Sequence, residues 1–163
     1  MAMRFAPFFM YSIYQVIASI LAGDKFHTET KREKKQMIAY TMLGTNDKDK
    51  AVEFYDKLFE GTDIKKLFQT PLGGQFYGRK PGQPMICITN PYDGNEACFG
   101  NGTMVALAFE DTDQIDALHA KALEIGATDE GTPGWRAPDI FYGAYFRDLD
   151  GNKLCACKFN LGG

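Results

Sequence analysis

The side chains able to do polar chemistry are few, and the cysteines are the most suggestive of them. The chain of 163 residues has two histidines, His27 and His119, and four cysteines. A thiol acts as a nucleophile or metal ligand only as the thiolate, so it needs a nearby base or cation. No pair has the Cys-x-x-Cys spacing typical of zinc and redox sites. We therefore interpret Cys87, Cys155 and Cys157, which lie in apolar runs, as inert core residues.

Two arginines and the single tryptophan are further candidates for binding. Arg136 and Arg147 could hold an acidic ligand, although Arg147 next to Asp148 is better explained as part of a hairpin. Trp135 has three interpretations that stay open: a pocket lid, an interface anchor or a residue that only packs against its neighbours. His119 lies beside an inward helix position, so we expect it at the helix surface or at the core boundary.

The composition excludes some classes of function. Hydrophobic residues make up 45% of the chain, which suits one globular domain with a real core. The net charge of -3 argues against nucleic acid, since binding it requires a basic face. Cysteines without a disulfide or zinc pattern indicate a reducing compartment, so we expect a cytoplasmic protein.

Two stretches of the chain share one pattern. Residues 40–58, shifted by 64 positions, fall on 104–122, and residues 85–88, shifted by 68, fall on 153–156. Each copy has a strand with alternating apolar residues, an acidic turn, an amphipathic helix with an i, i+3, i+4 stripe, and a glycine. The repeat predicts two similar α/β modules that bury a shared sheet face and leave a binding cleft where they meet.

The first module, about 37–90, is predicted as βαβββ. Asp47 caps a helix that Gly61 ends. The inner face of that helix carries Ala51, Phe54, Tyr55 and Leu58. The predicted elements are, in order, a strand over 37–45, a helix over 48–59, and strands over 64–68, 75–79 and 85–89.

The second module, about 103–159, repeats this order. Asp111 or Thr112 caps its helix and Gly126 ends it, while the run 148–152 is a strong turn signal. The inner helix face carries Ile115, Leu118, Ala122 and Ile125. The predicted elements are a strand over 103–109, a helix over 112–125, a strand over 127–132, a loop over 133–138 that holds Trp135 and Arg136, and strands over 140–147 and 153–159.

Residues 1–36 are a different kind of sequence. Residues 1–23 are nearly uncharged, whereas 24–36 are dense in charge, and the apolar run 5–22 is short for a membrane span of about 20 residues. Three interpretations stay open: an amphipathic helix, a signal peptide or anchor, or a non-native leader before Met37. We favour an amphipathic helix packed on the domain, followed by a charged linker, and do not favour membrane association through 5–22.

Three segments resemble one family in the right order and spacing. The runs YTMLGTNDKDKAVEFYDKLF, GTMVALAFEDTDQIDALHAKALEIGA and FYGAYFRDLDGNKLCACKF resemble the module openings and closing hairpin of the vicinal oxygen chelate superfamily, which includes glyoxalase I, bleomycin-resistance proteins and extradiol dioxygenases. The resemblance spans residues 37–159. It implies an α+β fold of tandem βαβββ modules that form a cup-shaped mixed sheet, commonly in a homodimer, here preceded by an N-terminal helix.

The metal ligands of that family are missing from the matching positions. Metal-dependent members use four residues, mostly His and Glu, one from the first and fourth strands of each module. The resemblance places Tyr40, Cys87, Met104 and Cys155 there. Phenol and thioether groups are poor ligands for a hard or borderline divalent ion, and two thiols would need a third ligand such as Cys157. We therefore expect no metal or other cofactor.

The same four positions face the cavity if the resemblance holds, so they line the expected pocket. They offer an apolar, soft surface with one phenol, which suits an aromatic or planar guest. In the last hairpin, strand alternation places Tyr142 on one face and Tyr145 with Arg147 on the other, and which face lines the cup stays open. The candidate pocket residues are Tyr40, Cys87, Met104, Cys155, Trp135, Arg136, Tyr142 and Arg147.

Three hypotheses for the function follow. The first is a binder of a small, largely apolar or planar molecule, held in the cup or dimer groove without a metal, as bleomycin-resistance proteins sequester their ligand. The second is a lyase, isomerase or dioxygenase that resembles lactoylglutathione lyase, with atypical metal ligands or a metal-free mechanism using Tyr40 as acid or base. The third is a non-catalytic partner module that makes contact through its N-terminal helix. We favour the first.

Overall fold

The computed structural model describes residues 37–161, which form two four-stranded sheets and two helices. Each module contributes one sheet and one helix in the order βαβββ, as predicted. The predicted N-terminal helix and linker, and the apolar run 5–22, lie outside the described residues. The elements are β1 (Tyr40–Gly44), α1 (Lys48–Leu58), β2 (Lys65–Gln69), β3 (Gln75–Gly78), β4 (Met85–Thr89), β5 (Val105–Ala108), α2 (Thr112–Glu124), β6 (Thr128–Ala137), β7 (Phe141–Arg147) and β8 (Lys153–Phe159).

Strand pairing confirms the internal repeat. The sheets have the orders β1-β4-β3-β2 and β5-β8-β7-β6, in which the first and last strands of each module run parallel and the others antiparallel. Thr41 pairs with Ile86 in the first sheet, and Val105 pairs with Leu154 in the second. The partners in the second module are displaced by the same 64 and 68 positions as the sequence patterns, so the two modules have the same register.

The two helices begin and end as the sequence indicates. Asp47 caps α1 and accepts from the backbone N–H of Lys50, while Asp111 caps α2 and accepts from that of Gln114, at 3.2 and 2.9 Å. Gly61, just after α1, has a positive φ of 80°. The inner face of α1 is buried as predicted: Ala51, Phe54, Tyr55 and Leu58.

Two expectations for the second module are wrong. His119 is 4% exposed, so it lies in the core rather than at the helix surface or the core boundary, and its Nε2 lies 3.0 Å from Asp129 Oδ1. It lies four residues after Ile115, so it belongs to the apolar stripe of α2. Residues 133–137 of the loop predicted over 133–138 are instead part of the ten-residue strand β6. That strand is at the sheet edge, where register shifts accommodate Pro133 and the glycines.

A buried hydrogen bond joins the two modules. Tyr55 on α1 donates its hydroxyl to Asp148 Oδ2 at 2.7 Å, and both residues are buried. Around it, Asn152 Nδ2 donates to the carbonyl of Gly44 at 3.0 Å, and the backbone N–H of Asn46 donates to Asp150 Oδ1 at 2.9 Å. The hairpin turn between β7 and β8 is therefore fixed to the end of β1, and the apolar core is continuous across both modules.

None of the helices described here is long and apolar enough to cross a membrane.

The Tyr55–Asp148 bond gives a prediction with a defined pH dependence. Burial raises the pKa of Asp148, so its protonated form stabilises the fold below pH 3.8 and this contribution is lost as pH rises through the raised pKa. The Tyr55 hydroxyl opposes that loss by favouring the ionised carboxylate. We expect Tyr55→Phe to lower the free energy of unfolding by about 1–3 kcal/mol at pH 7 and by less near pH 4, measured by urea denaturation.

Tyr77→Phe is the matched control for this prediction. Tyr77 is equally buried, but its hydroxyl donates to Asp56 Oδ1 and to the carbonyl of Val52, both on α1 of its own module. Asp56 is exposed, so water replaces the lost hydroxyl and the pH dependence should match that of the parent protein. A Tyr55→Phe deficit that is the same at both pH values would contradict the assignment.

Candidate functional site on the open sheet faces

Within residues 37–161, each sheet has one face covered by a helix and one face with no covering element. In the first sheet, Leu43, Tyr77 and Ile86 point into the core, so the alternate residues of their strands point the other way. In the second sheet, Ala144 and Leu154 occupy the same core. The open faces are where candidate binding residues must lie, because the helix-covered faces are filled by apolar packing.

The open face of the first sheet is aromatic and thiol-rich. Tyr40 and Met42 alternate with the buried Leu43, and Cys87 pairs with both Met42 and Phe76 in the strand register. The ring centroids of Tyr40 and Phe76 are 5.2 Å apart at 69°, and those of Phe68 and Phe76 are 4.7 Å apart at 15°. We call this set the first open face: Tyr40, Met42, Phe68, Phe76 and Cys87.

Three of these side chains leave large apolar surface exposed to solvent. Tyr40 is 48% exposed, Met42 is 56% exposed and Phe68 is 42% exposed. Phe76 and Cys87 lie beneath them and are buried. Half-exposed aromatic and thioether groups gathered on one surface are typical of a place that binds a ligand or a partner.

The open face of the second sheet is more polar. Cys155 pairs with Tyr145 and Ala106, and the guanidinium of Arg136 lies 5.5 Å from the centre of the Tyr145 ring. Met104 precedes β5 and is 44% exposed. Of the predicted pocket residues, this face therefore brings together Met104, Cys155 and Arg136.

The remaining candidates of the second module are held in other contacts. Tyr142 is packed on the helix-covered side, where its hydroxyl donates to Asp116 Oδ1 at 2.8 Å. Trp135 stands edge-on against the Tyr142 ring, with centroids 5.3 Å apart. Arg147 points to the open side, but its Nε is bonded to Glu130 at 2.7 Å. The hairpin face that carries Tyr145 is thus the open one.

The side chains at the four family positions do not fit a divalent metal. Tyr40 and Cys87 are on the first sheet and Cys155 is on the second, with Met104 just before it. Burial raises the pKa of Cys87, and a hydrogen bond with Cys157 together with burial raises that of Cys155. The ligand form is the thiolate, so a metal would first have to displace these protons. Within residues 37–161, no three His, Cys, Asp or Glu side chains are grouped to hold a metal.

A separate apolar cleft runs between the two sheets. It has a volume of about 600 Å³ and lies between the β1–β4 edge of one sheet and β5 of the other. Met104 lines it, but Tyr40, Cys87 and Cys155 do not. The cleft is therefore a second apolar surface, distinct from the first open face.

Sequence reasoning missed Met42, Phe68 and Phe76 on the open faces, and it left open whether the side of the hairpin with Tyr145 lines the cup. Met42 and Tyr145 follow from strand alternation once the buried face is known, and Phe76 follows from its pairing with Cys87. Phe68 could not be placed, because the shift in register between β2 and β3 is not visible in the sequence. The sequence predicted the strands, but it did not show which face of each sheet is covered by a helix.

Comparison with known proteins places this arrangement among related folds. The family model described as Glyoxalase/Bleomycin resistance protein/Dioxygenase superfamily matches residues 37–156 of this chain. A glyoxalase/bleomycin resistance protein from Albidiferax ferrireducens T118 is 37% identical and has a TM-score of 0.67; the match covers 76% of this chain and 98% of that one. A search of curated proteins gave no significant match.

Two more distant solved structures share the fold alone. Lactoylglutathione lyase from Agrobacterium tumefaciens is 20% identical with a TM-score of 0.56, over 81% of this chain and 99% of that one. A glyoxalase/bleomycin resistance protein/dioxygenase family enzyme from Burkholderia phytofirmans PsJN is 16% identical with a TM-score of 0.57, over 74% and 97%.

The burial of the thiols predicts their reactivity. Cys98 is exposed, whereas Cys87, Cys155 and Cys157 are at most 2% exposed. We expect iodoacetamide to alkylate one cysteine in the native protein and all four after unfolding in guanidinium chloride, as read by mass spectrometry. Cys98→Ser is the control and should leave the native protein unmodified on the same timescale. Rapid alkylation of Cys87 or Cys155 in that variant would show that these thiols are reactive.

Proposed function

Because the chain belongs to the glyoxalase/bleomycin resistance protein/dioxygenase superfamily, we propose that it binds a small planar, largely apolar molecule without a metal ion. The observation that carries this proposal is the first open face, where Tyr40, Met42 and Phe68 leave aromatic and thioether surface in contact with water. Covering such surface with a flat apolar guest removes it from water, which contributes about 25 cal/mol for each Å² buried. None of the five side chains that define this face is a carboxylate.

The donor groups support binding rather than metal-assisted chemistry. At the family's metal positions, this chain would have to hold a divalent ion with one phenol, two thiols and one thioether. The two thiols are buried and their pKa values are raised, so at neutral pH they are neutral apolar groups rather than charged ligands. The residues at these positions are suited to line an apolar pocket.

A second copy of the chain is the partner we propose for the open faces. Large apolar side chains exposed on one sheet surface are typical of homodimer interfaces. A facing copy would also enclose a guest that a single open sheet leaves partly in water. All four cysteines are free thiols, which supports the cytoplasm as the compartment.

Binding of a flat aromatic probe with and without chelator tests the proposal. We expect isothermal titration with 2-naphthamide to give the same dissociation constant in EDTA and in buffer containing manganese, zinc, nickel or iron. Elemental analysis of protein purified without affinity nickel should find no stoichiometric metal. Stoichiometric metal, or binding that EDTA abolishes, would overturn the metal-free proposal.

One charged substitution locates the binding surface. Met42 is 56% exposed on the first open face, so Met42→Glu should fold and should weaken 2-naphthamide binding at least about tenfold by placing a carboxylate against the guest. Leu161→Glu is the matched control, since Leu161 is 75% exposed beyond the end of β8. Sedimentation gives the association state of both variants, and it therefore tests whether the first open face also contacts the second copy. Equal binding by the two variants would place the guest elsewhere.

A further inference from the structure

A single lysine distinguishes the first open face from a purely apolar surface. Lys48 is the first residue of α1 and is only partly exposed. The other two lysines of α1 have carboxylate partners, since Lys50 Nζ lies 3.2 Å from Asp47 and Lys57 Nζ lies 2.6 Å from Glu53. Among the residues the structure describes, Lys48 has no such partner. Its charge is therefore available to a ligand.

The ammonium of Lys48 lies at the edge of the first open face. A Cβ built on Gly73 would be 2.9 Å from Lys48 Nζ, and one built on Gly74 would be 2.8 Å from Cys87 Sγ and 3.8 Å from the Phe76 ring. The two adjacent glycines thus lie beside the ammonium and beside the floor of the aromatic face. The Lys48 charge also acts on the Cys87 thiol, whose pKa it lowers in opposition to burial.

Aromatic surface next to an unpaired ammonium has a defined chemical complement. A flat ring can stack on the exposed Tyr40 and Phe68 side chains, while an ionised carboxylate on that ring accepts from the Lys48 ammonium. The ammonium is a compact charge on a flexible stem, so it can follow carboxylates at slightly different positions on the ring.

We propose that the first open face selects an aromatic carboxylate, with Lys48 as its specificity-determining residue. This inference rests on the proposed function, because it assigns a ligand class to the same surface. It adds a charge requirement that apolar burial alone does not supply. Lys48 positions and selects the acid, and no covalent step is involved.

A pair of probes that differ only in charge tests this inference. 2-Naphthoate and 2-naphthamide share one ring system, and only the first is ionised at pH 7. We expect the parent protein to bind 2-naphthoate about tenfold more tightly by isothermal titration, because a charge-assisted hydrogen bond is added. The preference should shrink as salt is raised from 0.05 to 0.5 M, since the ammonium is partly exposed.

Variants of two lysines on the same helix separate the possible outcomes. Lys48→Met should bind both probes equally and Lys48→Arg should keep the preference, while Lys50→Met should behave as the parent protein. Equal binding of the two probes by the parent protein would overturn the role of Lys48 and leave the proposed planar binder intact. Binding of neither probe would count against both. Melting temperatures within about 2 °C of the parent value would show that each variant is folded.

Discussion

The buried hydrogen bond between Tyr55 and Asp148 is the interaction on which the remaining structure depends. An ionised carboxylate is costly to bury unless donors surround it. Asp148 has these donors: the Tyr55 hydroxyl, the side chain of Asn152, and the backbone N–H groups of Asp150 and Asn152. The Tyr55 hydroxyl belongs to the first module and Asp148 to the second. The carboxylate therefore has all of its hydrogen-bond donors only when both modules have folded and docked.

Docking of the modules decides which sheet surfaces stay open. Once the turn of β7 and β8 is fixed to the end of β1, α1 and α2 fill a common core, and the sheet faces away from the helices have no covering element in the described chain. A related contact joins the end of β3 to the end of β5. Arg79, the residue after β3, donates from Nη2 to the carbonyl of Ala108, the last residue of β5, at 2.6 Å. The open faces thus result from the same contacts that close the core.

Much of the fold follows from local patterns. Helix bounds, caps and the buried stripe of α1 could be predicted because periodicity and capping depend on residues within one turn. The repeat predicted two equivalent modules, and its offsets of 64 and 68 recur in the bonds that join Thr45 to Thr89 and Phe109 to Cys157 at 3.0 and 2.9 Å. The path of β6 could not be predicted, since Pro133 indicates a loop unless the strand is known to lie at a sheet edge.

The candidate site was less predictable than the fold, because side-chain direction depends on contacts distant in sequence. In β7, aromatic residues occur on both faces, so the composition of the strand could not show that Tyr142 packs on α2 while Tyr145 points to the open side. Lys48 reaches the face beside Gly73, 25 positions away in the sequence, where a side chain would crowd the ammonium.

The residues at the family metal positions contribute to an apolar surface, and the positive charge lies at the edge of that surface. A metal site concentrates charge at the centre of a pocket and requires anionic or imidazole ligands there. Here the central positions hold a phenol and a buried thiol whose pKa is raised, and the positive charge of Lys48 lies at the border of the face. A guest can therefore bury its ring against neutral groups while its charged end remains near water. This arrangement avoids the desolvation cost that a fully buried ion pair would carry.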